Sequence, residues 1–147
     1  LFGVSMGAAT VMSASGENLP RNVKAIIEDC GYTSTWNQFS YQLKALFKIP
    51  SFPLMHVASI ICKLRAGYFI SESSPIKQLK KSITPTLFIH GDKDGFVPFF
   101  MLDKLYNASP VEKEKLIIPG AAHARASYIN PKLYWETIEI FLNKYIN

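Results

Sequence analysis

Charge is sparse in this sequence. Of its 147 residues, 18% are Asp, Glu, Lys or Arg, against 48% hydrophobic. That balance excludes a disordered, charge-rich chain and predicts a globular one with a real core. The net charge is +5, yet no long basic run carries it. Lys77, Lys80 and Lys81 form the densest group. They read as a solvated face, so no nucleic-acid partner is expected. Long apolar runs are absent as well, and nothing approaches the roughly 20 residues of a membrane span. There are two cysteines, Cys30 and Cys62, far apart and outside any C-x-x-C pattern. They read as reduced thiols in a reducing, cytoplasmic setting, with a single disulfide as the alternative. The three histidines lack ligand spacing, so no metal is expected, nor any other cofactor. Internal repeats and low-complexity segments are also missing. The first residue is Leu, not Met, so a signal peptide is not judged from this sequence.

What is present begins at once. Leu1-Phe2-Gly3-Val4-Ser5-Met6-Gly7 reads as an apolar strand end running into Gly-x-Ser-x-Gly. Such a turn from strand to helix within a few residues strains the serine and pushes its Oγ out of the sheet edge. Gly3 and Gly7 are expected where a Cβ would crowd the turn. Ala8 to Ala14 reads as a small-residue helix whose N-terminal N–H groups face the place of a developing oxyanion. Gly16 suits its C-cap.

Val23 to Asp29 reads as a strand buried on both faces. Residues 33–81 then change character, with many apolar and aromatic residues interrupted by Pro50 and Pro53. The spacing predicts two or three kinked helices, including Leu54 to Ala66, and a short one from Ser74. Sitting between two strands, this block reads as an insertion over a site: a lid with an apolar inner face, or ordinary packing helices. Thr86 to His90 is a buried strand that runs into a turn of glycines and carboxylates. Phe99 to Ala108 is helical. Lys115 to Ile118 is a strand ending in Pro119-Gly120-Ala121-Ala122-His123. Pro131 to Ile146 is an amphipathic helix with Trp135, Ile138, Phe141, Leu142 and Tyr145 on its buried side. This alternation implies an α/β class: a parallel sheet with helices on its faces.

Three polar residues, Ser5, Asp94 and His123, stand at the C-terminal ends of three separate strands. In a parallel sheet those ends share one edge, so the side chains can converge. The serine needs a base, an imidazole can serve, and a carboxylate on its far nitrogen fixes the tautomer. The Met6 N–H would donate to the oxyanion. The order Ser, acid, His is that of the α/β-hydrolase triad.

The chain resembles the C-terminal part of an α/β-hydrolase-fold serine hydrolase. The matching residues are Gly3-Val4-Ser5-Met6-Gly7, Leu87 to Pro98 and Gly120-Ala121-Ala122-His123. The second stretch is similar to the family's strand followed by H-G-x-x-D-x-x-V-P, whose last Asp maps to Asp94. The third is similar to its G-x-x-H loop. More closely, the pattern resembles bacterial hydrolases of the esterase/prolyl-oligopeptidase-like group. The resemblance implies a partial α/β-hydrolase fold over residues 1–147 with the lid-like insertion at 33–81. It also implies a Ser5–His123–Asp94 triad, an acyl-enzyme and a small-molecule ester or amide substrate. Family members have several strands before the serine, and a loop there supplies a second oxyanion donor. The absence of both implies a piece of a longer hydrolase. Alone it is expected to be inactive or nearly so, and to self-associate through its open sheet edge.

Other residues have competing readings. Glu28 and Asp29 also end a strand, and either is an alternative acid. Asp92 reads as a turn-former, His90 as a locally bonded strand-end histidine and His56 as a lid-surface residue. Arg125 is read either as surface or as a contact to an acidic group on a substrate. Trp36, Phe39, Phe47 and Phe52 are read as core, or as an acyl pocket. The function read from these residues is carboxylic ester hydrolysis. Its alternatives are a peptidase or amidase on the same triad, or a non-catalytic fragment.

Overall fold

The computed structural model describes residues 1–146; Asn147, the last residue of the expected domain, lies outside them. Its centre is a four-stranded parallel sheet in the order β1-β2-β3-β4. The strands are β1 (Phe2–Val4), β2 (Ile26–Asp29), β3 (Thr86–Gly91) and β4 (Lys113–Ile118). β2 and β3 are buried along their whole length. Their near-continuous apolar runs, Ile26-Ile27 and Leu87-Phe88-Ile89, are what a sheet covered on both faces requires.

Strand alternation divides the core in two. On one face Ile27, Leu87, Ile89, Leu116 and Ile118 pack against Tyr134, Ile138 and Phe141 of α7 (Pro131–Asn143). On the other, Phe88 meets Met12 of α1 (Met6–Ala14), Leu79, and Leu102 and Leu105. The connection from β2 to β3 holds α2 (Thr35–Phe47), α3 (Leu54–Ala66), a 3₁₀ turn (Ile70–Glu72) and α4 (Pro75–Leu79). α5 (Phe100–Ala108) joins β3 to β4, and a short α6 (Ala126–Ile129) precedes α7. Ser34 caps α2 by accepting the Asn37 N–H at 3.1 Å, and Asn130 caps α7 by accepting the Leu133 N–H at 3.2 Å. Both cysteines are free. No helix among the described residues is long and apolar enough to cross a membrane.

Several local expectations are corrected. β2 is shorter than Val23–Asp29, starting at Ile26. α6 and the 3₁₀ turn were not anticipated, because four and three residues carry too little periodicity to read. Trp135 is not in the buried stripe of α7: it is 54% exposed, and its neighbour Tyr134 is buried instead. Gly16 does not cap α1; Ser15 does. A Cβ on Gly16 would lie 2.5 Å from the Gln78 carbonyl oxygen, so this glycine allows α4 to approach. Phe39, Phe47 and Phe52 are exposed and not core.

Candidate active site

β1 ends in a turn that cannot relax. Ser5 sits at φ 56° and ψ −113°, a strained setting for a residue with a Cβ. Its N–H donates to the Asp29 carbonyl at 2.8 Å, and its own carbonyl accepts the Ala9 N–H at 3.0 Å. The strand end and the first turn of α1 are therefore pinned together. Gly3 is required by space, since a Cβ there would lie 2.2 Å from the Gly7 carbonyl oxygen. Gly7 is not, because nothing lies within 4 Å of a Cβ on it. The expectation for the glycine pair holds only for Gly3. The Met6 N–H, the first of α1, donates to no group among the described residues.

The turn after β3 presents Asp94. One carboxylate oxygen, Oδ1, accepts the backbone N–H groups of Phe96 and Val97 at 2.9 and 2.8 Å. The other, Oδ2, lies 2.7 Å from His123 Nδ1. His90 Nε2 lies 3.3 Å from this Oδ2 and 3.1 Å from the Val97 carbonyl. Both contacts put the His90 ring proton on Nε2. Burial alone would raise the Asp94 pKa. Hydrogen bonds from His123, His90 and Val97 outweigh it and hold the carboxyl well below the usual range.

His123 comes from the loop after β4, and two loops cross to deliver it. A Cβ on Gly91 would lie 2.2 Å from the Ala121 carbonyl oxygen, so only glycine permits the crossing. Asp92 Oδ1 accepts the Gly120 N–H at 2.6 Å, and Lys93 N–H donates to Ala121 O at 3.1 Å. Thus held, His123 Nε2 lies 2.8 Å from Ser5 Oγ, and the Phe96 ring sits 4.8 Å from the imidazole. The side chains of Ser5, His123 and Asp94 form one hydrogen-bonded series across the sheet edge.

The alternative acids are engaged elsewhere. Asp29 Oδ2 accepts the Tyr134 hydroxyl at 2.8 Å, and Glu28 Oε2 accepts the Gly31 N–H at 2.9 Å. Burial raises both carboxyls, Glu28 to about 8. Tyr134 was missed because it sits one position before the residue that the helical stripe favoured. Cys30 was missed too. Its thiol, an Asp94 oxygen and a His123 nitrogen lie within 4.8 Å of one another. Burial, reinforced by the Asp29 charge, pushes that thiol well above its ordinary range. As a metal site the trio would have to break the His123–Asp94 hydrogen bond. The available signal for Cys30 was its place at the end of β2, on the same rim.

The remaining candidates lie apart. Arg125 is exposed, stacked 5.3 Å over the ring of Tyr128. His56 is exposed and edge-on to Trp36 and Phe52. α2 does touch the site's border: Gln38 and Gln42 both donate to the Phe96 carbonyl, Gln38 at 2.8 Å.

No family model matches this sequence. The chain is 32% identical to YqkD, an uncharacterised protein of Bacillus subtilis, over 97% of its own length and 47% of that protein's. It therefore spans about half the length of this curated relative. Among solved structures it superimposes on the Pyrococcus furiosus esterase Pf2001 with a TM-score of 0.70 at 17% identity, covering 99% of this chain and 53% of that one. It also matches the acylaminoacyl peptidase of Pyrococcus horikoshii, at a TM-score of 0.65 and 20% identity, over 94% of this chain and 23% of that one. At such identities the likeness is one of backbone. Together with the parallel strand order and the strained serine turn between β1 and α1, it shows that this chain has the α/β-hydrolase fold.

Proposed function

We propose that this chain carries the reacting side chains of a serine hydrolase that cleaves carboxylic esters. The supporting observation is the continuous hydrogen-bonded series from Ser5 Oγ through His123 to Asp94. Ser5 Oγ attacks the acyl carbon as its proton passes to His123 Nε2. The negative charge that develops on the acyl oxygen is received by the Met6 N–H. Collapse breaks the ester bond, and the departing alkoxide takes the proton from His123. Ser5 is left acylated. Water then attacks this acyl-enzyme, giving its proton to His123, which returns it to Ser5 Oγ as the acid leaves. Asp94 stays ionised throughout and holds the Nδ1–H tautomer.

Residues 33–81 act as a lid in this reading. Their support is the pair of glutamine hydrogen bonds to the Phe96 carbonyl, beside the imidazole. A second reading, amide cleavage on the same three residues, is favoured by the likeness to the acylaminoacyl peptidase of Pyrococcus horikoshii. The fold hosts both, because the choice lies in the pocket.

Fluorophosphonate labelling tests the proposal. In the complete protein, Ser5 is expected to label and Ser5→Ala to abolish labelling. The same substitution should lower kcat on p-nitrophenyl acetate about 10⁴-fold or more. A complete, folded protein whose Ser5 does not label supports the non-catalytic alternative and overturns the proposal. A panel of acyl esters against aminoacyl amides separates the two chemistries.

A further inference from the structure

The helices between β2 and β3 keep an apolar face uncovered. On α3, Leu54, Val57, Ile61 and Leu64 recur at helical spacing and all are exposed, Leu64 at 81%. At the near end of this stripe, Leu54 shares the groove between the two helices with Phe39 and Phe47 of α2. Phe47 is 65% exposed, and Phe52 at the tip of the helical pair 69%. A single exposed leucine needs no explanation, but a continuous patch of this size does.

Charge indicates what covers it. Between Asp29 and Glu72 the sequence contains no carboxylate side chain, while Lys44, Lys48, Lys63 and Arg65 all fall there. This segment supplies four of the five net positive charges of the chain. Arg65 lies three turns after Leu54, on the same side of α3. Lys44 and Lys48 stand at the end of α2, beside Phe47, and both are exposed. The nearest carboxylate, Glu72, lies 3.9 Å from Lys63. A second copy of the chain is a poor fit, since a two-fold contact would set these cations against each other. A surface that is both apolar and negatively charged satisfies both features.

We propose that the exposed face of α2 and α3 docks on an anionic lipid bilayer. The apolar stripe enters the boundary between headgroups and acyl chains, and the lysines and arginine meet the lipid phosphates. The helices lie on the surface; each is 13 residues, too short to span. The proposal is independent of the chemistry assigned to Ser5.

Co-sedimentation with vesicles tests it. One set is phosphatidylcholine alone, the other three parts phosphatidylcholine to one of phosphatidylglycerol. Binding is expected on the second set only, and loss of it at high salt. Arg65→Glu or Lys44→Glu should lower the partition coefficient about fivefold or more. Leu64→Asp should lower it too, whereas Lys77→Glu, outside the segment, should not. All these positions are on the surface, so far-UV circular dichroism should be unchanged. No binding, equal binding to both vesicles, or a dimer that Leu64→Asp dissociates without any vesicle binding would each overturn the proposal.

Discussion

Asp94 is the most thoroughly constrained side chain in the site. Two backbone N–H groups hold one of its oxygens, and two histidines share the other. Under the proposed mechanism, Asp94→Asn removes the charge that sets the His123 tautomer and should lower kcat about 10⁴-fold. Asp29→Asn, on a carboxyl bonded to Tyr134, should leave kcat within a few-fold of wild type. The reverse outcome in steady-state assays would reassign the acid. His90 is a positioning residue in the same scheme. His90→Phe deletes a hydrogen bond to a charged group and should lower kcat about 10–100-fold with little change in KM. His90→Gln, which keeps a donor, should recover part of the loss. The triad candidates were legible because each ends a strand in a recognisable turn. His90 was legible as a locally bonded histidine, but not as a partner of Asp94. Its bond to Oδ2 depends on how the turn folds back, and spacing alone does not report that.

At the level of elements, the two loops that build the site are fitted to each other by one missing side chain. Gly91→Ala would drive a Cβ into the Ala121 carbonyl and should cost about 1–3 kcal/mol in denaturant unfolding. Gly7→Ala is the contrasting case. Its Cβ would meet nothing, and the position is inside α1, so stability should rise by up to about 1 kcal/mol. The sequence motif makes the two glycines of the serine turn look equivalent, and only the path of α1 distinguishes them. The same reasoning explains Trp135. Helical periodicity places a stripe within one residue, and the sheet decides which of two adjacent aromatics it covers. Strand and helix order was readable because β2, β3, α3 and α5 carry strong apolar patterns. The short α6 carries none.

For the molecule as a whole, the buried carboxyl of Glu28 sets a direction for stability against pH. Burial raises its pKa from about 4.5 to about 8 in the folded state. Between those values the folded chain holds a proton that the unfolded chain has released, so stability falls as pH rises. Its contribution is fully present below pH 4.5 and lost by the time the pH passes about 8. Urea midpoints should therefore decline across this window in the wild type and decline less in Glu28→Gln. Asp94 runs the other way: its contribution is present above the ordinary carboxyl value of 3.8 and is lost progressively as the pH falls below it.

The Phe96 carbonyl links these scales. Because it accepts from two glutamines of α2, that helix is fastened to the peptide whose ring leans on the imidazole. In the proposed lid reading, an outward swing of α2 first releases this carbonyl, and with it the segment whose Phe96 and Val97 N–H groups hold Asp94. On that proposal the helical cover and the acid–base pair are coupled: uncovering the rim slackens the carboxylate, and settling back makes it taut.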